Sequence, residues 1–255
     1  MDKVTFHFYG DVNYFLPPER KNTPFVHDFD WQTSIKDMIE SFGPPHTEIE
    51  LLVVNGVSVD FEYQVMPDDR VDVYTRAESC DLARKVPLRP PYPLIRPRFV
   101  LDTHMGRLAG YLRLLGYDTL YRNDYPDDEL AQISHDETRI LLTRDIGLLK
   151  RSMVTYGRWV RATDPRQKLA EVLRHYNLIG DIRPFTVCLR CNGRLHPVEK
   201  ATISDQLEPR TAEFYDEFHQ CADCAQIYWR GSHYVKLLAF IDEIANSSAQ
   251  SSIES

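Results

Sequence analysis

No stretch of this chain is apolar for long enough to cross a bilayer. Its first residues, MDKVTFHFYGDV, lack the basic-then-apolar layout of a signal peptide. Both absences predict a cytoplasmic protein with no membrane partner. Cysteine is scarce, five in 255 residues; four are paired at short spacing and Cys80 stands alone. That pattern argues against a disulfide framework and suits metal binding in a reducing compartment. Positive charge is in deficit too, with a formal net charge of −8, which on average speaks against nucleic acid. The average conceals a segregation. Residues 1–83 carry 16 acids and 6 bases, residues 84–174 carry 11 acids and 17 bases, and the remainder returns to a net of −4. A basic centre beside an acidic flank has the form of a phosphate-binding module joined to something else, although plain solvated faces give the same pattern. What is present is ordinary: 43% hydrophobic and 27% charged residues, enough to bury a core in about one to three domains.

The first block, 1–77, predicts a β-grasp (α+β) domain. Val4, Phe6 and Phe8 alternate with polar residues as in a half-buried strand, and a second extended stretch covers Phe25–Phe29. Thr33 or Ser34 can cap a helix with Ile35, Met38, Ile39 and Phe42 on one face, closed by Gly43-Pro44-Pro45. Leu51–Val54 and Val57–Phe61 flank Asn55-Gly56, a strong hairpin signal, and Val71–Tyr74 supplies a last strand. The block resembles ubiquitin-like sulfur carriers, most clearly in TSIKDMIESFGPPHTEIELLVVNGVSVDF and MPDDRVDVYT. Such carriers work through a C-terminal Gly-Gly, whereas this block runs on through Thr75-Arg76-Ala77-Glu78. It is therefore read as a scaffold or recognition module, open to a protein partner. Nothing in the sequence sets an oligomeric state.

Residues 78–97 form a linker in which Pro87, Pro90, Pro91, Pro93 and Pro97 forbid a continuous helix or a central strand. Its bases, Arg84, Lys85, Arg89 and Arg96, with Arg98 just beyond, suit a phosphate-tracking strip; a simple spacer is the favoured reading. From 98 to 180, strand and helix alternate. The expected strands are Phe99–Leu101, Tyr117–Tyr121, Ile140–Thr143 and Arg158–Ala162. The expected helices follow the first and second strands, and a last one starts at Pro165. That order implies a parallel α/β sheet.

On this ladder Asp102 directly follows the first strand. Asp127 and Asp128 lie between the second strand and its helix, Asp145 follows the third strand and Asp164 the fourth. In a parallel sheet those ends share one edge, where open α/β sheets bind ligands. Converging carboxylates are tolerable when hard divalent cations neutralise them, and Mg²⁺ or Mn²⁺ takes oxygen ligands while keeping water positions open. Two such ions roughly 3.5–4 Å apart can serve phosphodiester cleavage. Singly, each acid is better read as a helix cap or a surface charge, Asp127, Asp128 and Asp164 above all; Asp102 and Asp145 are the stronger candidates, each directly following a short apolar strand. Arg107, one turn into the helix after Asp102, and Arg144, beside Asp145, can bind substrate phosphates by bidentate contacts, or pair with neighbouring acids.

The stretches RFVLDTHMGRLAGYLRLLGYDTLYRND, DDEL and RILLTRDIGLLKR resemble the PIN-like ribonuclease family called the Mut-seven C-terminal RNase domain. That family is associated with a zinc ribbon and, in bacterial proteins, an N-terminal ubiquitin-like domain, so the resemblance covers nearly the whole chain in order. It implies a PIN-like nuclease core acting on RNA, with acidic metal ligands at Asp102, at Asp127 or Asp128, and at Asp145. Asp164 comes from the strand-edge argument alone.

The third block, 181–245, holds Cys188-Leu-Arg-Cys191 and Cys221-Ala-Asp-Cys224. Two Cys-x-x-Cys pairs are what a tetrahedral Zn²⁺ ribbon requires. Four thiolates close the coordination, so this zinc is structural. Tyr228, Trp229, Arg230, His233 and Tyr234 can stack on unpaired bases; packing of a small domain is the favoured role. The polar end, 246–255, is expected to be disordered. The sequence thus predicts a metal-dependent ribonuclease. The competing reading is a non-catalytic RNA-binding or ribosome-associated adaptor.

Overall fold

The computed structural model describes residues 1–76 and 80–251. They fall into two compact units, one of residues 1–93 with 127–159, the other of residues 94–126 with 160 onward. Among the described residues no helix is long and apolar enough to cross a membrane.

In the first unit, β1 (Asp2–Tyr9), β2 (Phe25–Phe29), β3 (Leu51–Val54), β4 (Val57–Val59) and β5 (Arg70–Tyr74) form a sheet of order β2-β1-β5-β3-β4. β1 and β5 run parallel, and the remaining pairs run antiparallel. Helix α1 (Ile35–Phe42) buries Ile35, Met38, Ile39 and Phe42 against Phe6, Phe8 and Val71 of the sheet. Ser34 caps it by accepting from the Asp37 N–H at 3.1 Å. Asn55 and Gly56 both have positive φ, 49° and 82°, as a type I′ hairpin turn demands. This is the expected β-grasp. β4 stops at Val59 rather than Phe61, because Asp60 turns the chain by accepting from the Glu62 N–H through its Oδ1.

The same unit holds α3 (Asp127–Asp136), β8 (Ile140–Thr143), α4 (Ile146–Leu149) and β9 (Gly157–Trp159), with β8 and β9 parallel. α4 had no counterpart in the sequence reading. β9 is shorter than Arg158–Ala162: beyond Trp159 the N–H groups of Arg161 and Ala162 donate to the Glu171 carboxylate instead of a ladder. The linker is docked rather than loose. Val86 N–H donates to Ser58 Oγ, Leu88 packs on the grasp core, and Arg89 donates to the carbonyls of Thr47 and Ile49. Tyr92 donates to the Thr138 carbonyl and Tyr156 to that of Pro90. A proline-stiffened chain has little entropy left to lose on docking, so it serves as a strap; the last residue of the expected first block, Ala77, and linker residues 78 and 79 lie outside the described residues.

In the second unit, β6 (Phe99–Leu101) and β7 (Thr119–Tyr121) run parallel, and α2 (Gly106–Leu114) packs on α5 (Pro165–His175). Parallel pairs in both units give the α/β class. β7 begins two residues later than expected because Tyr117 belongs to the end of α2, its N–H donating to the Leu112 carbonyl at 2.9 Å. Gly116 makes that turn at φ +86°, where a Cβ would lie 2.0 Å from the Arg183 carbonyl oxygen. Gly116→Ala should therefore cost more than about 1 kcal/mol, seen as a lowered thermal midpoint; an unchanged midpoint would contradict this account of the helix end.

The ribbon follows: β10 (Leu195–Val198), β11 (Phe218–Cys221) and β12 (Ile227–Trp229) form an antiparallel sheet, flanked by α6 (Pro209–Phe214) and α7 (Ser232–Ser251). α7 includes the start of the stretch expected to be disordered; 252–255 lie outside the described residues.

Candidate active site and zinc centre

Asp145 stands at the N-cap of α4. Its Oδ1 accepts from the N–H groups of Gly147 at 2.7 Å and Leu148 at 3.2 Å, and its own N–H donates to Thr143 Oγ1 at 2.9 Å. Among the described residues, the hydrogen bonds of this carboxylate fall on Oδ1, which leaves Oδ2 for a ligand. Asp127 and Asp128 are exposed and lie in the first turn of α3. Asp128 is ion-paired to Arg151. The guanidinium of Arg151 titrates above its ordinary value, first because it donates to Asp128 and then through the charges of Asp127 and Asp145. Within this unit, then, Arg151 pairs with Asp128 and feels the charges of Asp127 and Asp145. The sequence reading missed Arg151, although it ends the RILLTRDIGLLKR stretch. Arg144 is exposed, and its carbonyl accepts from Trp159 Nε1 at 3.3 Å.

In the second unit Asp102 follows β6 and is half-buried, its Oδ1 accepting from the N–H and the hydroxyl of Thr103. His104 has φ +63°, and the exposed Arg107 lies in the first turn of α2. His104, Arg107, Thr163 and Lys168 line a cavity of about 380 Å³. Asp164 does not follow a strand directly, since β9 ends at Trp159. It caps α5, with Oδ1 accepting from Arg166 N–H at 2.9 Å and Gln167 N–H at 3.1 Å. That is the local role weighed against a ligand role, and short polar side chains before Pro fill it readily.

Cys188, Cys191, Cys221 and Cys224 bring their sulfurs within 4.8 Å of one another. The two knuckles repeat one geometry. Asn192 N–H donates to the Cys188 carbonyl and Ala225 N–H to that of Cys221, and both donors have positive φ, 69° and 57°. A four-sulfur set of this size fits a tetrahedral ion such as Zn²⁺, and each knuckle supplies two ligands. Burial pushes the Cys188 thiol up, but donation from the Tyr228 hydroxyl and the N–H groups of Cys191 and Arg190 outweighs it and brings the thiol down to about 6. Two residues that the sequence reading passed over staple the first knuckle to the α/β part. The buried Arg113 donates through Nε to the Thr119 carbonyl and through Nη1 to that of Leu189, both at 2.9 Å. Asn192 accepts from Thr119 N–H at 2.8 Å and donates to Asp118. The aromatics after the second knuckle pack: Trp229 faces Tyr215 and Phe218, and Tyr234 faces Phe185.

These features define an α/β protein with an N-terminal β-grasp domain and a four-cysteine ribbon. The chain belongs to the Mut7-C RNAse domain family, which it matches over residues 97–241, and it matches the Mut7-C ubiquitin domain over residues 1–81. No curated protein and no solved structure matches it. Membership in an RNase family points to ribonuclease activity, with RNA as substrate.

Proposed function

We propose that this chain is a PIN-like, metal-dependent ribonuclease that hydrolyses RNA phosphodiester bonds, holding Mg²⁺ or Mn²⁺ through Asp102, through Asp127 or Asp128, and through Asp145. The observation that carries the reading is the RNase family match over residues 97–241. Supporting it, Asp102 and Asp145 each lie just past the carboxyl end of a strand in a parallel pair. The donor set is all carboxylate oxygen, which fits hard cations. A divalent cation bound there supplies polarisation of the phosphoryl group and an activated water nucleophile.

The remaining work falls to the chain. The N–H groups of Gly147 and Leu148 fix the rotamer of the Asp145 carboxylate. Arg151 holds Asp128 in place. Arg107 and Arg144, both exposed, grip substrate phosphates with their planar forks. Asp164 lies past the end of β9 rather than directly after a strand, which leaves it the weakest candidate ligand. The test is cleavage of a single-stranded RNA panel by the full chain with Mn²⁺ and with EDTA. Cleavage that depends on Mn²⁺ is expected; tight RNA binding without cleavage under any divalent cation would favour the adaptor.

The arginine assignment has its own readout. With Asp145→Asn protein, which binds but should not cut, Arg107→Ala should lower the slope of log affinity against log salt by about 0.7. An unchanged slope would remove Arg107 from the phosphate path.

A further inference from the structure

We propose that the ubiquitin-like domain is a positioning module for the nuclease, with Glu48 as the positioning residue that sets the backbone carrying Asp145. The inference rests on the reading of Asp145 as a metal ligand. Glu48 is buried, its side chain 1% exposed, and a carboxylate so placed persists only with strong partners. Its partners lie in the nuclease segment. Oε2 pairs with the guanidinium of Arg158, and Oε1 accepts the backbone N–H of Trp159 at 2.7 Å. Trp159 passes the constraint on, because its indole Nε1 donates to the carbonyl of Arg144, the peptide that leads into Asp145. Phe15 of the same domain packs on the indole, with ring centroids 5.0 Å apart.

Two more anchors act on the same segment from the same part of the ubiquitin-like domain. Lys150 Nζ donates to the Glu40 carbonyl. His46 Nε2 lies 2.9 Å from the Val154 carbonyl oxygen, and its Nδ1 lies 2.8 Å from Glu40 Oε1. Residues 40–48 thus hold the nuclease segment at Lys150, Val154, Arg158 and Trp159, and two of these bonds, at Val154 and Trp159, go to its main chain. Bonds to main-chain atoms fix the path of a loop, and Asp145 and Arg151 are carried on that path. The step from these anchors to Asp145 itself is the single bond from the Trp159 indole to the Arg144 carbonyl.

The test uses the full chain with Glu48→Gln, Trp159→Phe and a control, Tyr156→Phe. Trp159→Phe keeps one aromatic ring against Phe15 while removing the indole N–H together with its second ring, so it guards against the case in which Glu48→Gln fails to fold. Tyr156→Phe removes the bond to the Pro90 carbonyl, in the same unit but off the path to Arg144. The half-activating Mn²⁺ concentration for RNA cleavage should rise about 10-fold in Trp159→Phe, as for the loss of an outer support of a metal ligand. It should rise at least as much in Glu48→Gln, KM for RNA should stay constant, and the control should match wild type. An unmoved Mn²⁺ midpoint in Trp159→Phe, or an equal shift in the control, overturns the proposal. If wild type fails to cleave with Mn²⁺, the functional reading falls, and hydrogen exchange decides the positioning alone. The amides of Gly147 and Leu148 should then exchange about 10-fold faster in Trp159→Phe, and unchanged protection rejects it.

Discussion

Asp145→Asn is expected to lower Mn²⁺-dependent RNA cleavage by about 100-fold or more, while the thermal midpoint stays within a degree or so of wild type. The magnitude follows from the 10–100-fold cost of losing even an outer support of a bound metal. The unchanged stability follows from the cap. Asparagine is as good an N-cap as aspartate, and its amide oxygen can accept the Gly147 and Leu148 N–H bonds that Asp145 Oδ1 accepts. What asparagine removes is the negative charge and the second oxygen, which the cap does not use. Asp145→Ala, by contrast, removes both roles and should add about 1 kcal/mol of destabilisation. Asp164 provides the opposite case. It caps α5 in the same way, so Asp164→Asn should keep both stability and activity within about 2-fold if capping is its whole task. Initial rates with thermal melts on the three variants read both quantities. An Asp145→Asn protein as active as wild type would remove this residue from the metal site.

Removing the ribbon metal should have the largest effect on stability. Structural Zn²⁺ in small thiolate sites is worth on the order of 10 kcal/mol apparent, and the ribbon has little apolar core to replace it. Cys188, Leu195 and Cys221 form one small buried cluster, and Ile203, Phe218 and Ile227 another. The loss should spread beyond the ribbon, because Arg113 and Asn192 tie the first knuckle to the backbone of Thr119. Chelation, or Cys221→Ser, should therefore release one zinc per chain, lower the melting midpoint sharply and speed hydrogen exchange at Thr119. A chain that carries no zinc, or one whose Thr119 amide is indifferent to its removal, would contradict this coupling.

Features decided by neighbours in sequence were legible. Asn55-Gly56 forms its turn, Ser34 caps α1, and the four cysteines converge, because each outcome depends on a few adjacent residues or on spacing a metal dictates. Features decided by distant partners were not. β9 ends early because Glu171 takes the N–H groups of Arg161 and Ala162. The linker docks because Ser58, Thr47 and Ile49 offer acceptors for it. Glu48 meets Arg158 across more than a hundred residues of chain, and nothing local to either residue announces the pairing. The candidate site shares this division. The positions of Asp102 and Asp145 after their strands and the capping role of Asp164 could be read, whereas the capping bonds of Asp145 and the role of Arg151 emerged only from the fold.

The most direct test of the central claim is Mn²⁺ binding itself, followed by electron paramagnetic resonance on the zinc-loaded full chain. The account predicts that wild type withdraws Mn²⁺ from solution, that Asp102→Asn and Asp145→Asn each weaken this by about 10-fold or more, and that Asp164→Asn leaves it alone. Binding that is equal in all four proteins, or missing from wild type, would contradict it.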